Sequence, residues 1–366
     1  MMNNRLLLLV YMFLVAAGFG RAQGIVDGYP FDTPADPRSM GMGESFVAVP
    51  SNPSALMYNP AGLAGLQGSS ISYSRRALNV VSLIDEMMCY SLTGTVAVPF
   101  GAFAVQYNRK LVGTFPVTTA ENPDGEFELT VYSYDVAIGF GTRLTDGLAL
   151  GVAAKYYRAV LSPEPGYLFD LGLLYTLPPL HDQHVINDSL SVGLSVQNIY
   201  SQKDYSIGTP SGSFVVKSYL PEYFRLGIAY ALRLPPNDRS ALAPIAFVVT
   251  GEYRNLLNDI AYAYNGRAYW GVGLETTVFE FLSLRGGAAF SPFTSFDGER
   301  DRPAYRYGFG LNLPLRKLGS GIPLIISFNY AVEPLNQIVN PYVAGFTEKS
   351  SLPSLSLDLH YDANLW

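Results

Sequence analysis

Large apolar side chains alternate with small or polar ones along most of the chain. The run Tyr132-Ser133-Tyr134-Asp135-Val136-Ala137-Ile138-Gly139-Phe140 is typical. The same period recurs over 190–197, 224–230, 305–313 and 326–330. A period of two places successive side chains on opposite faces of a strand. One face is Val, Leu, Ile, Phe and Tyr; the other is Gly, Ala, Ser, Thr and Asn with an occasional Arg, Asp or Glu. A water-soluble sandwich would bury its aromatics and cover its outside with Lys and Glu. Here the apolar face suits lipid and the small polar face suits a lumen, which predicts an all-β, antiparallel transmembrane β-barrel.

About fourteen strands are expected, an even number as bacterial barrels have. They span 69–77, 89–98, 101–111, 128–143, 148–161, 167–177, 189–200, 221–233, 244–256, 267–279, 282–291, 303–314, 322–333 and 353–366. Odd-numbered connectors are mostly long (78–88, 112–127, 201–220, 257–266, 292–302 and 334–352), whereas Pro99-Phe100, Thr145-Asp146-Gly147 and Glu280-Phe281 make tight even-numbered turns. Short periplasmic turns and long extracellular loops are the habit of outer-membrane barrels, so both termini are expected in the periplasm.

Composition agrees. Charged residues make up 15% of the chain against 49% hydrophobic, whereas soluble domains carry about 25% charge. A net charge of -6 with no basic run disfavours nucleic acid as a partner. The one cysteine, Cys89, rules out a disulfide framework and a zinc cluster. Residues 1–22 are expected to form a signal peptide, with Arg5, the apolar run Leu6 to Ala17 and small residues before a cleavage point after Ala22. Beyond it no apolar stretch reaches the ~18 residues of a membrane helix. The chain therefore integrates into the outer membrane of a Gram-negative cell through its strands. The terminal aromatic Trp366 resembles the signal read by the barrel assembly machinery.

A barrel of this size leaves a channel or needs a plug. Residues 23–68 precede the first strand, and barrel residues run from 69 to 366. The leading segment is rich in Gly, Pro, Ala and Ser, yet Phe46, Val47, Leu56, Met57, Tyr58 and Leu63 call for burial. An ordered plug inside the barrel is the expectation. The run Arg38-Ser39-Met40-Gly41-Met42-Gly43-Glu44-Ser45-Phe46-Val47-Ala48-Val49, followed by Tyr58-Asn59-Pro60-Ala61-Gly62-Leu63, resembles the N-terminus of the PorV/PorQ family. Shorter pieces such as Gly193-Leu194-Ser195-Val196-Gln197-Asn198, Leu284-Arg285-Gly286-Gly287 and Tyr307-Gly308-Phe309-Gly310-Leu311 extend the resemblance along the chain. That family is related to FadL-like, fourteen-stranded barrels. The resemblance implies a hatch motif at Arg38, Gly41, Gly43, Tyr58, Asn59, Pro60 and Ala61. It also implies partnership with the type IX secretion machinery and its secreted cargo, that is, a shuttle role in protein secretion and surface attachment.

Catalysis finds little footing. His181-Asp182-Gln183-His184 lacks a third metal ligand, and His360 beside Asp358 lacks a marked nucleophile; no metal, cofactor or enzyme activity is expected. Gly139-Phe140-Gly141 and Gly41-Met42-Gly43 lack the strand–loop–helix context of phosphate loops. Arg225, Glu252, Arg254, Glu275, Arg285 and Arg306 are expected in the lumen, pairing across strands and with the plug; Glu275 and Arg285 face one another across a tight turn. Phe115, Tyr205, Phe214, Tyr219, Tyr342 and Phe346, in the long loops 112–127, 201–220 and 334–352, are candidate partner contacts. The leading expectation is a non-enzymatic interaction barrel of type IX secretion. The alternative is a FadL-like transporter of fatty acids or other hydrophobic solutes.

Overall fold

The computed structural model describes residues 25–26, 35–77, 88–117, 127–160, 165–181, 186–200, 202–209, 212–236, 242–257, 268–290, 304–334 and 351–361. The elements begin with β1 (Ile25–Val26), the short helix α1 (Pro37–Gly41) and two 3-10 turns (Pro53–Met57 and Pro60–Gly65). Strands β2 (Ser69–Ala77), β3 (Met88–Val98), β4 (Gly101–Val117), β5 (Phe127–Arg143), β6 (Leu148–Ala159), β7 (Gly166–Thr176) and β8 (Asn187–Ile199) follow. Next come β9 (Gln202–Thr209), β10 (Gly212–Tyr219), β11 (Tyr223–Arg233), β12 (Ile245–Leu256), β13 (Ala268–Val278) and β14 (Leu282–Phe290). The chain finishes with β15 (Ala304–Pro314), β16 (Leu324–Pro334) and β17 (Ser351–Tyr361).

Strands β2–β8 and β11–β17 form one closed barrel, each antiparallel to its neighbours. Fourteen strands close where β17 meets β2, with Leu357 opposite Tyr73, and where β8 meets β11, with Gly193 opposite Gly227. Closure leaves no strand edge for lipid to leave unsatisfied, the condition a sheet must meet to span a bilayer. The two faces sort as the alternation demands. On β6, Ala149, Ala153, Lys155 and Tyr157 are buried while Val152 is exposed. On β13, Trp270, Val272 and Leu274 are exposed and Glu275 is buried. The exposed face is therefore the lipid-facing side of an outer-membrane-type barrel. Among the described residues no helix is long and apolar enough to cross a membrane.

Two expectations about the connectors are corrected. β4 runs on to Val117 and pairs with β5 past a bulge between Leu111 and Gly113, so Phe115 stands on a strand opposite Leu129 rather than in a loop. In segment 201–220, β9 and β10 pair antiparallel to one another, outside the barrel ladder. Tyr205 pairs with Val216, Phe214 with Ile207, and Tyr219 with Gln202. Alternation continuing into a connector raises a strand out of the barrel, which hydropathy cannot tell from a loop. Tyr342 and Phe346 lie outside the described residues, as do Trp366 and the signal segment 1–22.

Ile25 and Val26 pair in parallel with Ser218 and Tyr219 of β10, at the end of the barrel that carries the long connectors. Tyr361 pairs with Ser69 and Leu324 at the tight-turn end. The first and last described residues therefore lie at opposite ends, and residues 35–68 lie within the lumen.

Candidate functional site: the lumen and its inner segment

Residues 35–68 are shaped by three repeats of one local device. Asp36, Asn52 and Asn59 each stand before a proline, in extended conformation, and each side chain accepts from backbone N–H groups of the turn it starts. Asx at the cap satisfies donors that the first turn leaves open, and proline supplies the φ of the first turn without needing a partner. Asn59 does more: its Nδ2 donates to Val47 O at 2.9 Å and to Leu173 O, a wall carbonyl on β7, at 3.0 Å, while Oδ1 accepts from Ala61 N at 3.0 Å. One side chain thus joins two stretches of the inner segment to the barrel.

The wall receives the segment on glycines. A Cβ built on Gly141 would stand 2.7 Å from Pro60 O and 2.8 Å from Ala64 N, and one on Gly273 would stand 2.7 Å from Met42 Cβ. Gly139 faces Leu56, Gly151 and Gly172 face Asn59, Pro60 and Ala61, and Gly193 faces Val47 and Ala48 in the same way. Small inward residues let the two backbones approach closely. On the segment side, Gly43 has φ +65 and would place a Cβ 2.5 Å from Val272 O, so both conformation and space require glycine there. Apolar clusters complete the seat. Phe46, Val47, Met42 and Tyr58 pack with Ala229, and Leu56 and Leu63 pack with Ala102, Ala104, Ala137 and Ala153.

Charges lock it. Arg38 Nη2 lies 2.7 Å from Glu275 Oε1, and Arg285 Nε lies 2.6 Å from Glu275 Oε2. Glu44 accepts from Arg76 at 3.0 Å and lies 3.2 Å from Arg306; both arginines also reach Glu333, at 3.1 and 3.0 Å. Glu252 Oε1 accepts from Arg225 Nη1 at 2.6 Å, and its Oε2 accepts from Phe46 N at 2.7 Å and Val47 N at 2.9 Å. The Arg225 guanidinium stands 5.2 Å from the Tyr58 ring centroid, and the Tyr58 hydroxyl donates to Ser39 Oγ at 2.7 Å. Arg254 stacks over Tyr269 and Tyr223, and the Tyr269 hydroxyl donates to Gly43 O. Buried charges survive only when paired and hydrogen-bonded, and each of these carboxylates has at least two cationic or N–H partners.

The structure brings the motif residues Arg38, Gly41, Gly43, Tyr58, Asn59, Pro60 and Ala61 against the lumen wall and six named wall charges around them. Sequence reasoning missed Glu44, Arg76 and Glu333, although Ser72, Ser74 and Arg76 share one parity on β2. It also missed a second polar group. Lys155 Nζ lies 2.6 Å from Asp170 and donates to Asn198 Oδ1, and Asn108 Nδ2 donates to Asp135 at 2.7 Å. Lys155, Asn198, Asn108 and Asp135, with Gln197, Tyr223, Arg225 and Met57, line a cavity of ≈ 20 Å³, room for a water.

Above it the β7–β8 ladder breaks. Phe169 pairs with Ile199 and Leu171 with Val196, so Asp170 faces two residues, and its carboxylate accepts from Asn198 N at 2.8 Å. Asn198 and Tyr200 take positive φ there. Tyr157, Ala159 and Leu168 form an apolar cluster with Leu220 beside this break, towards the long-connector end. Elsewhere, His181 Nδ1 lies 3.0 Å from Asp188. Asp358, on the inward face with His360, accepts from Ser72, Ser356 and Asn329. Among the described residues no cluster of three metal-ligating side chains occurs.

This is the architecture of a transmembrane β-barrel with an inner segment across its lumen. No protein-family model matches the chain, and no curated protein matches it. Solved structures similar to it include a FadL homologue and two toluene transporters. A FadL homologue of Pseudomonas aeruginosa is 11% identical, with 93% of this chain and 100% of that chain covered and a TM-score of 0.48. The toluene transporter TodX of Pseudomonas putida is 11% identical over 90% of this chain and 99% of its own, with a TM-score of 0.49. The toluene transporter TbuX of Ralstonia pickettii is 12% identical over 90% and 98%, with a TM-score of 0.48.

Proposed function

We propose that the protein passes small hydrophobic or amphiphilic solutes across the outer membrane, entering from the long-connector end and leaving through the barrel wall. The likeness to toluene transporters is one of fold; for this chain the reading rests on its own lumen. The observation that carries it is the pairing of a lumen closed by residues 35–68 with a broken β7–β8 ladder beside the apolar cluster of Tyr157, Leu168 and Leu220. A polar solute meets tightly seated backbone, whereas the β7–β8 seam, where the register slips by one residue, lies beside buried apolar side chains. The test is uptake into proteoliposomes. An apolar probe is expected to enter several-fold faster than in protein-free vesicles, with no swelling in a polar sugar. Deleting Asn198, which restores the β7–β8 register, is expected to lower that uptake. Uptake equal to protein-free vesicles would sink the transport reading.

A second reading, partnership with a type IX secretion translocon and its folded cargo, is favoured by one observation. The chain places a separate three-stranded sheet, β1-β10-β9, at the long-connector end outside the barrel ladder. Purification from native membranes in mild detergent separates the two. A co-purifying larger barrel or secreted proteins with a shared C-terminal domain supports secretion; the barrel alone with bound acyl chains supports transport.

A further inference from the structure

We propose that the outward face of β2–β6, towards the long-connector end, is a binding surface for lipid A, the phosphorylated glycolipid of the outer leaflet. The register of five consecutive strands sets one transverse row of side chains. Arg75 pairs with Tyr90, Tyr90 with Arg109, Arg109 with Tyr134, and Tyr134 with Arg158. All five have the outward parity, opposite to buried neighbours such as Cys89, Asn108 and Asp135. Arginine and tyrosine therefore alternate along the row. Neighbouring strands lie ~4.8 Å apart, so successive arginines stand ~10 Å from one another. Like charges directly opposite repel, and the interposed rings keep these apart. Rings also hold the cations: Arg75 Cζ lies 6.0 Å from the Tyr90 centroid, and Arg109 Cζ lies 5.0 Å from that of Tyr132. Tyr134 is itself seated between Tyr107 and Tyr156, with centroids 6.1 and 6.3 Å away.

Arg75, Arg109 and Arg158 make no ion pair among the described residues. The described strands β2–β6 carry two carboxylates. Asp135 faces the lumen, and Glu128 lies six residues from Tyr134, ~20 Å along β5. Depth selects the occupant. Tyr90 and Arg158 lie eight and ten residues from Val98 and Leu148, the tight-turn ends of β3 and β6. At ~3.3 Å per residue and a tilt of ~40°, the row stands ~20–25 Å from those turns, at the far edge of an apolar band ~25 Å tall. Arginine facing lipid is costly at the midplane and tolerated near the interfaces. Tight turns face the periplasm in bacterial barrels, so this edge belongs to the outer leaflet, where the phosphates of lipid A lie. Planar guanidinium groups grip phosphate oxygens in pairs, and their spacing offers separate arginines to the two phosphates of one headgroup. The inference is independent of the transport reading.

The test is native mass spectrometry of the full chain in detergent micelles supplied with equal amounts of lipid A, its dephosphorylated form and phosphatidylglycerol. The wild type is expected to retain lipid A in excess of both. Equal retention of the dephosphorylated form overturns the proposal in favour of a plain aromatic girdle. Equal retention of phosphatidylglycerol overturns it in favour of an unselective anionic rim. The triple variant R75Q/R109Q/R158Q is expected to lose about fivefold in the preference for lipid A over its dephosphorylated form for each arginine removed. R233Q, at the tight-turn end, is expected to leave that preference unchanged. A triple variant that keeps the wild-type preference, or a fall in R233Q as large as in the triple variant, overturns the proposal.

Discussion

Glu252 holds more of the inner segment than a single charge suggests. Its side chain is fully buried, and its two oxygens serve Arg225 on one side and two backbone N–H groups of the segment on the other. Glu252→Ala leaves a buried guanidinium and two buried donors without that acceptor, a loss of about 3–5 kcal/mol. Glu252→Gln keeps one acceptor oxygen and is expected to fall between. Midpoints of urea unfolding, followed by the heat-dependent electrophoretic shift of folded barrels, check the order; an alanine variant as stable as the wild type contradicts it. The parity of Glu252, Glu275, Arg285 and Arg306 within their strands made them legible as lumen charges. Their partners were less so, because Arg38 and Glu44 lie 200 or more residues away on a segment without periodicity. Only Glu275 and Arg285, joined by one turn, could be matched from sequence.

At the scale of elements, the seat of the inner segment rests on missing side chains. Gly141→Val places methyl groups into the space of Pro60 O and Ala64 N. The strand still closes the barrel, since valine suits a pleated ladder. The segment must shift, at a cost of about 1–3 kcal/mol from overpacking. The expected signature is ion conductance in planar bilayers where the wild type shows little, together with faster proteolysis within 35–68. A variant that stays closed and protected would show that the seat tolerates a side chain. The β9–β10 pair is the element that the pattern concealed. Over 202–219 the pattern is interrupted by Gly, Pro, Ser and charged residues and reads as a loop, and the partner of a strand is a tertiary matter.

At the scale of the whole molecule, the bilayer is the solvent that sorts the two faces. Leu274, at the outward middle of β13, is expected to cost about 2–4 kcal/mol when changed to Arg, whereas Phe281→Arg at the rim should cost about 0–1 kcal/mol. Refolding titrations into phospholipid vesicles measure both, and equal costs would contradict a membrane-depth effect. The sequence by itself determined the barrel class and the strand number, because a strand has a strict two-residue period and lipid tolerates only apolar groups on one phase of it. It also marked the inner segment, through apolar residues that require burial. Tertiary structure alone decided which charges meet, where the β7–β8 ladder breaks, and that Ile25–Val26 and Tyr361 lie at opposite ends. Those outcomes depend on contacts between residues far apart in the chain, whose closure is governed by the geometry of the finished barrel and leaves no local pattern to read.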